Sequence, residues 1–299
     1  MRRRVRGIET NEPSSWAIAA ACAGAAACRS PTVTPAELSP DGGPGASGTT
    51  ISGDAGGETI GIAPACTDAD PAKMAVGATV AVPAGTFTMG CNASVDNECK
   101  ADESPAHPVS LDAFAIQTTE VTQAQYLACV KDGKCTFPKC PWDPCTAPDL
   151  PIACVKHAQA AGYCAWAAMR LPTEAEWERA ARGDDGRKYP WGNDPLDCDR
   201  ANFVGCGATV AVVGRAPQGA SPFGALDMAG NVVEWVSDYY DPGYYGVSPP
   251  SAPKGPDNGD SFSGRGGGFL SDETWERASA RDLYDPGYTR VSMGFRCAK

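Results

Sequence analysis

The chain has 299 residues, a formal net charge of −11 at pH 7, 14 cysteines and only two histidines. So acidic a balance opposes binding to nucleic acid or to an anionic membrane surface, and no basic stripe offsets it. Cross-links, rather than histidine-rich metal chemistry, set the first expectations.

The first 65 residues do not read as globular. Arg2, Arg3, Arg4 and Arg6 precede a short apolar run from Trp16 to Ala27 that ends at Cys28. A basic flank, about a dozen apolar residues and a small-residue cleavage region describe an export signal over residues 1–28. The run is too short to span a bilayer, which needs about 20 residues. Ala25-Ala26-Ala27-Cys28 reads as a lipobox with Cys28 lipidated, and Ala19-Ala20-Ala21-Cys22 is the competing site. The expected product is a cell-envelope lipoprotein or a secreted protein, reaching the membrane by a lipid anchor rather than a transmembrane helix. Residues 29–65 are mostly Pro, Gly, Ser, Thr and Ala. They bury too little to offset ordering entropy and read as a disordered tether. Residues 66–299 are long enough for one sizeable core.

Setting aside Cys22 and Cys28, twelve cysteines remain. An even count in an exported domain reads as a disulfide framework. A zinc reading of Cys135-x4-Cys140-x4-Cys145 is weaker, because structural zinc wants closer pairs or histidines.

Residues 80–91 alternate apolar and small side chains around Pro83-Ala84-Gly85 and read as a strand pair. A further strand is expected over 111–116, and Thr122 can cap a helix through Gln125, Tyr126 and Cys129. Residues 131–153 form a Pro- and Cys-rich loop whose order would come from cross-links. Residues 155–168 read as a helix with Ala161, Cys164, Ala165 and Ala168 on one face. Then comes R-L-P-T-E-A-E-W-E-R-A-A-R from Arg170 to Arg182. Thr173 and Glu176 make a capping box, acids lead and arginines follow, and Gly183 stops the helix. On cap chemistry alone this is a surface helix. A short strand is expected at 210–213 and another at Gly294-Phe295-Arg296-Cys297.

The Arg170–Arg182 string, continued to Tyr189-Pro190-Trp191-Gly192-Asn193, resembles the hallmark of the formylglycine-generating-enzyme (sulfatase-modifying factor) family. G-T-F-T-M-G near Phe87, the Ser221–Trp235 segment and the final G-F-R-C also match in order, over about residues 78–298. The resemblance implies an α+β formylglycine-generating-enzyme fold, related to C-type-lectin-like folds, poor in regular structure and rich in disulfides. It implies a Cys164–Cys297 bond. It also implies calcium at Gly230, Asn231, Val232 and Glu234, and a second site beginning at Asn202 and Phe203. That second site has no later carboxylate between Gly207 and Pro217.

The family's oxidation needs two thiolates holding Cu(I), placed shortly after an R/K-G-G motif. After Arg265-Gly266-Gly267, Ser271 stands at the first cysteine's place, and no cysteine occurs between 207 and 296. A hydroxyl cannot replace a thiolate as copper ligand or redox group. A neighbouring family disulfide has Ala181 and Ala278 at its matching positions. Iron-dependent relatives use a histidine triad that two histidines cannot supply. Copper is thus not expected, and Ser271 marks a degenerate position. The expectation is an extracytoplasmic, non-oxidase binding or accessory module for a peptide, protein or glycan. Its cleft would be lined by Ser271, Trp275, Tyr284 and Tyr288, with the aromatic turn 239–245 nearby. The alternatives are a formylglycine-generating or related metal-dependent oxidase, and a surface structural protein.

Overall fold

The structure is a computed structural model that describes Cys66 and residues 69–299. The export signal, the lipidation residue Cys28 and the tether lie outside the described residues. The described chain is α+β, with eight short strands and three helices.

Strands β1 (Thr79–Val82) and β2 (Gly85–Met89) follow one another but do not pair as a hairpin. Instead β1 pairs antiparallel with β4 (Phe114–Gln117), and β2 with β3 (His107–Leu111). Val82 faces Phe114 and Gly85 faces Leu111, so one register runs through both pairs. The two sheets are one long ribbon interrupted at Pro83-Ala84 on one side and Asp112-Ala113 on the other. Proline has no N–H to give a ladder, which makes it a natural break point. The strand expected over 111–116 is divided by the same interruption.

Helix α1 (Gln123–Lys131) starts at the expected cap. Thr122 Oγ1 accepts from Gln125 N at 3.2 Å, and Gln125 Oε1 accepts from Thr122 N at 3.0 Å. The loop that follows is stapled by Cys129–Cys135, Cys140–Cys154 and Cys66–Cys145. Those bonds consume every sulfur of the possible zinc set. Helix α2 (His157–Trp166) buries Ala160, Tyr163 and Cys164, while Ala165 and Ala168 are exposed. The packed face is thus turned from the expected one, toward the large apolar ring of Tyr163.

Helix α3 (Glu174–Arg182) has its capping box, with Glu176 N to Thr173 Oγ1 at 3.1 Å and Thr173 N to Glu176 Oε2 at 2.9 Å. It is not a surface helix. All nine of its residues are buried, and its interior charges are paired. Glu174 meets Arg281, and Glu178 meets both Arg265 and Arg182. A buried charge persists only with such partners.

The second sheet is ordered β7 (Asp282–Tyr284), β6 (Phe262–Arg265), β5 (Val233–Tyr239), β8 (Met293–Phe295). β8 runs parallel to β5 and the other pairs are antiparallel. The period of two along β5 sends Val236 into the cluster around Trp177 of α3, and Val233 and Trp235 into the cluster around Tyr163 and Cys164 of α2. The sheet is therefore covered on both faces. Ala181 and Ala278 lie fully buried in the Trp177 cluster.

Residues 293–299 tie distant parts together. Cys164 and Cys297 are bonded, with sulfurs 1.98 Å and Cα atoms 5.5 Å apart. Arg170 and Ala298 exchange backbone hydrogen bonds at 2.9 and 2.7 Å, and Ala115 and Lys299 do so at 2.8 Å. Residues 210–213 form no strand. Ala211 N donates to the Asn231 side chain and Val213 N to Asp149 O, so their N–H groups never enter a ladder.

Candidate functional site

β6 delivers the chain into Gly266-Gly267-Gly268, and the loop that follows forms one wall of a pocket of about 250 Å³. Ser271, Asp272 and Trp275 line it from that loop, and Arg281, Asp282 and Tyr284 from β7 and its approach, with Arg290 at the rim. Ser271 closes a tight turn, its N–H donating to Gly268 O at 2.7 Å and its Oγ accepting from Gly268 N at 3.1 Å. The hydroxyl is held by the backbone of its own turn.

The expected cleft is largely assembled: Ser271, Trp275 and Tyr284 share the lining. Tyr288 stands behind it, its ring 4.9 Å from that of Tyr284. Tyr284 OH donates to Asp282 Oδ2 at 2.5 Å, and burial followed by the Asp282 charge pushes its phenol up. Of the aromatic turn, Tyr245 is buried in the core, Tyr240 donates to Asp102, and Tyr239 stacks on Phe262. That turn packs the fold and does not line the pocket.

The charges around the pocket differ in their freedom. Arg281 is clamped by Glu174 at 2.8 and 2.9 Å and lies over the Tyr245 ring at 4.2 Å. Burial works against its charge, but Glu174 and the neighbouring tyrosines outweigh it and raise its pKa. Arg290 is exposed and has no carboxylate within ion-pair distance among the described residues. Glu276 was not legible as a site residue. Its carboxyl is completely buried, with no hydrogen-bond partner for either oxygen. Burial, reinforced by Asp272, pushes it well above the carboxylate range. Gly267, with φ +66°, lies directly against it.

The residues matched to calcium sites form a second cluster. Asn231 N donates to Asn202 O at 2.7 Å, and Asn202 Nδ2 to Asn231 Oδ1 at 3.1 Å. Asn231 Nδ2 in turn reaches Glu120 Oε1 at 3.1 Å. Gly230 is held so close that a Cβ would stand 2.5 Å from Asn202 O. Val232 is buried in the same turn, and Phe203 is half-buried at its edge. Glu234 is heavily committed: Oε2 accepts from Trp177 Nε1 at 2.8 Å and Arg296 Nε at 2.7 Å, and Oε1 from Arg296 Nη2 at 2.6 Å. The oxygens with unused capacity are Glu120 Oε2 and Asn202 Oδ1, both buried without a partner. Burial and then the charge of Asp227 push the Glu120 carboxyl well up, despite Arg296. Buried oxygens lacking a donor, beside acids that outnumber the one guanidinium, suit a hard cation.

Residues 65–299 match the sulfatase-modifying factor enzyme 1-like domain. The chain belongs to this family. A formylglycine-generating enzyme of Thermomonospora curvata is 31% identical over 292 residues, spanning 76% of this chain and 95% of the relative. A hercynine oxygenase of Mycolicibacterium smegmatis is 32% identical, spanning 74% of this chain and 61% of the relative. Among solved structures, PvdO from Pseudomonas aeruginosa matches with a TM-score of 0.65 at 27% identity, over 74% of this chain and 93% of its own. The sulfatase-modifying factor fold is therefore the framework on which the Ser271 pocket is built. No described helix is long and apolar enough to cross a membrane.

Proposed function

We propose that this family member is an exported binding or accessory protein whose Ser271 pocket takes a polar peptide or glycan without thiol-held copper. The observation that carries it concerns sulfur. All twelve described cysteines are in disulfides, and none lines the pocket. The groups that face a ligand are a hydroxyl, acids, an unpaired arginine and amphipathic rings, which suit hydrogen bonding and stacking. Six disulfides support an oxidising compartment. The Asn202, Asn231 and Glu120 cluster would hold calcium as a structural ion.

Titration with Cu(I) and incubation with a cysteine-containing peptide test the reading. We expect no stoichiometric copper binding, no aldehyde product, and saturable binding on a peptide or glycan array that falls in Arg290→Ala. One equivalent of tightly held copper with turnover would overturn it. A second reading, oxidation at the same pocket, is favoured by relatives named as a formylglycine-generating enzyme and a hercynine oxygenase. A purely structural surface role is disfavoured by the pocket itself.

A further inference from the structure

Two of the disulfides, Cys91–Cys99 and Cys198–Cys206, close the same short separation of 8 residues. Loop-closure entropy treats them alike, but their surroundings differ. Cys91 Sγ lies 3.4 Å from Asp96 Oδ2, and Cys99 Sγ lies 3.4 Å from Asp96 O. A bonded sulfur has no hydrogen to give to either oxygen. The two thiols left by reduction would each find an acceptor already in place. Arg277 adds a charge, its Nη1 standing 3.9 Å from Cys91 Sγ, the one guanidinium this close to a disulfide sulfur among the described residues. Asp96 opposes negative charge on that sulfur, but it is paired with Arg277 at 2.8 Å and with Lys188 at 3.6 Å. Cys198–Cys206 has a single acceptor, Ala201 O at 3.5 Å from Cys206 Sγ. Cys91 also lines a second cavity, of about 480 Å³, formed with residues 92–94 and 184–186. Its acids, Asp184 and Asp185, are each paired with an arginine.

We infer that Cys91–Cys99 is a thiol–disulfide exchange site rather than a permanent staple, and that its co-reactant is a small dithiol entering by this cavity. One thiolate of the dithiol attacks Cys91 Sγ. The S–S bond breaks, and Cys99 leaves as a thiolate that takes a proton from solvent. The reagent's second thiolate then attacks its own bonded sulfur, closing a cyclic disulfide and releasing Cys91 as a thiolate beside Arg277. A neighbouring cation favours the departure of negative sulfur. Cys91 takes the second proton, and its S–H donates to Asp96 Oδ2. The dithiol thus gives up two electrons and two protons, and the Cys91–Cys99 pair gains them.

The full chain is equilibrated without oxygen at pH 7 in mixtures of reduced and oxidised dithiothreitol and quenched in acid. Free thiols are then followed at each cysteine by differential alkylation and peptide mass spectrometry. Cys91 and Cys99 should be half-reduced at about a tenfold lower ratio of reduced to oxidised reagent than Cys198 and Cys206. Cys164 and Cys297 should stay bonded there, so that the exchange occurs in the folded chain. Arg277→Lys withdraws the guanidinium from the sulfur and keeps a charge for Glu103, and it should narrow the gap between the two pairs. Ser94→Trp crowds the cavity and should slow the reduction of Cys91–Cys99 without moving its midpoint, with cooperative melting checked for both variants. Equal midpoints for the two pairs in wild type, or reduction of Cys91–Cys99 only together with all the other bonds, overturns the inference. A rate indifferent to Ser94→Trp overturns entry by the cavity.

Discussion

The Glu276 carboxyl lies against the α-carbon of Gly267, so closely that a methyl group there would stand 2.6 Å from Oε1. Gly267 also has φ +66°, a conformation that side chains disfavour. Gly267→Ala should therefore lower stability by on the order of 2 kcal/mol. Glu276→Ala in the same chain should recover only part of the loss, because it removes the clash and leaves the backbone strain. Full recovery in urea melts would mean that the contact alone fixes the glycine.

Burial of Asp238 makes stability depend on pH. Its carboxyl is completely buried, accepts from Glu174 N at 2.9 Å, and is pushed up to about 7 by burial and by Glu174. An unfolded aspartate loses its proton near pH 4, whereas the folded one keeps it to about 7, so stability falls as pH rises through that window. Asp238→Asn keeps an acceptor for Glu174 N and cannot ionise. It should gain on the order of 2 kcal/mol over wild type at pH 8 and little at pH 4. Equal effects at both pH values would rule out this linkage.

Loss of the Cys164–Cys297 bond should be severe. It links residues 133 apart, and the chain-entropy account gives a contribution of about 4–5 kcal/mol before strain. Replacing both cysteines with alanine, so that no free thiol remains, should lower the unfolding midpoint far more than the same change at Cys91 and Cys99. That bond closes a separation of only 8. Comparable losses from the two pairs would argue against the loop-closure account.

If calcium occupies the Asn202 turn, chelation should lower the thermal midpoint, and Glu120→Gln should weaken that response. Glu234→Ala is the less informative variant, because it strands the buried Arg296 guanidinium whether or not an ion is bound. Identical melting of wild type with and without chelator would remove calcium from the site.

Local chemistry was readable along the chain, and its consequences at a distance were not. The α3 caps involve residues three apart, so spacing alone describes them. The burial of α3 depends on partners such as Arg281, 107 residues from Glu174, and in the sequence those acids resemble solvated ones. In the same way Ser271 and Trp275 stand out because they follow the glycine motif. Glu276 looks like an ordinary surface charge until the fold removes its solvent. The β1–β2 hairpin failed for a related reason: Pro83-Ala84 has turn character, but the Phe114 and Leu111 ladders compete for the same strand edges.

Residues 293–299 couple parts of the fold that lie far apart in the chain. They close the ladder beside Ala115, pair Ala298 with Arg170, and supply one half of the longest-range disulfide. The first ribbon and the α3 approach thus share one edge partner. Loosening residues 293–299 would therefore open both cores together rather than one after the other.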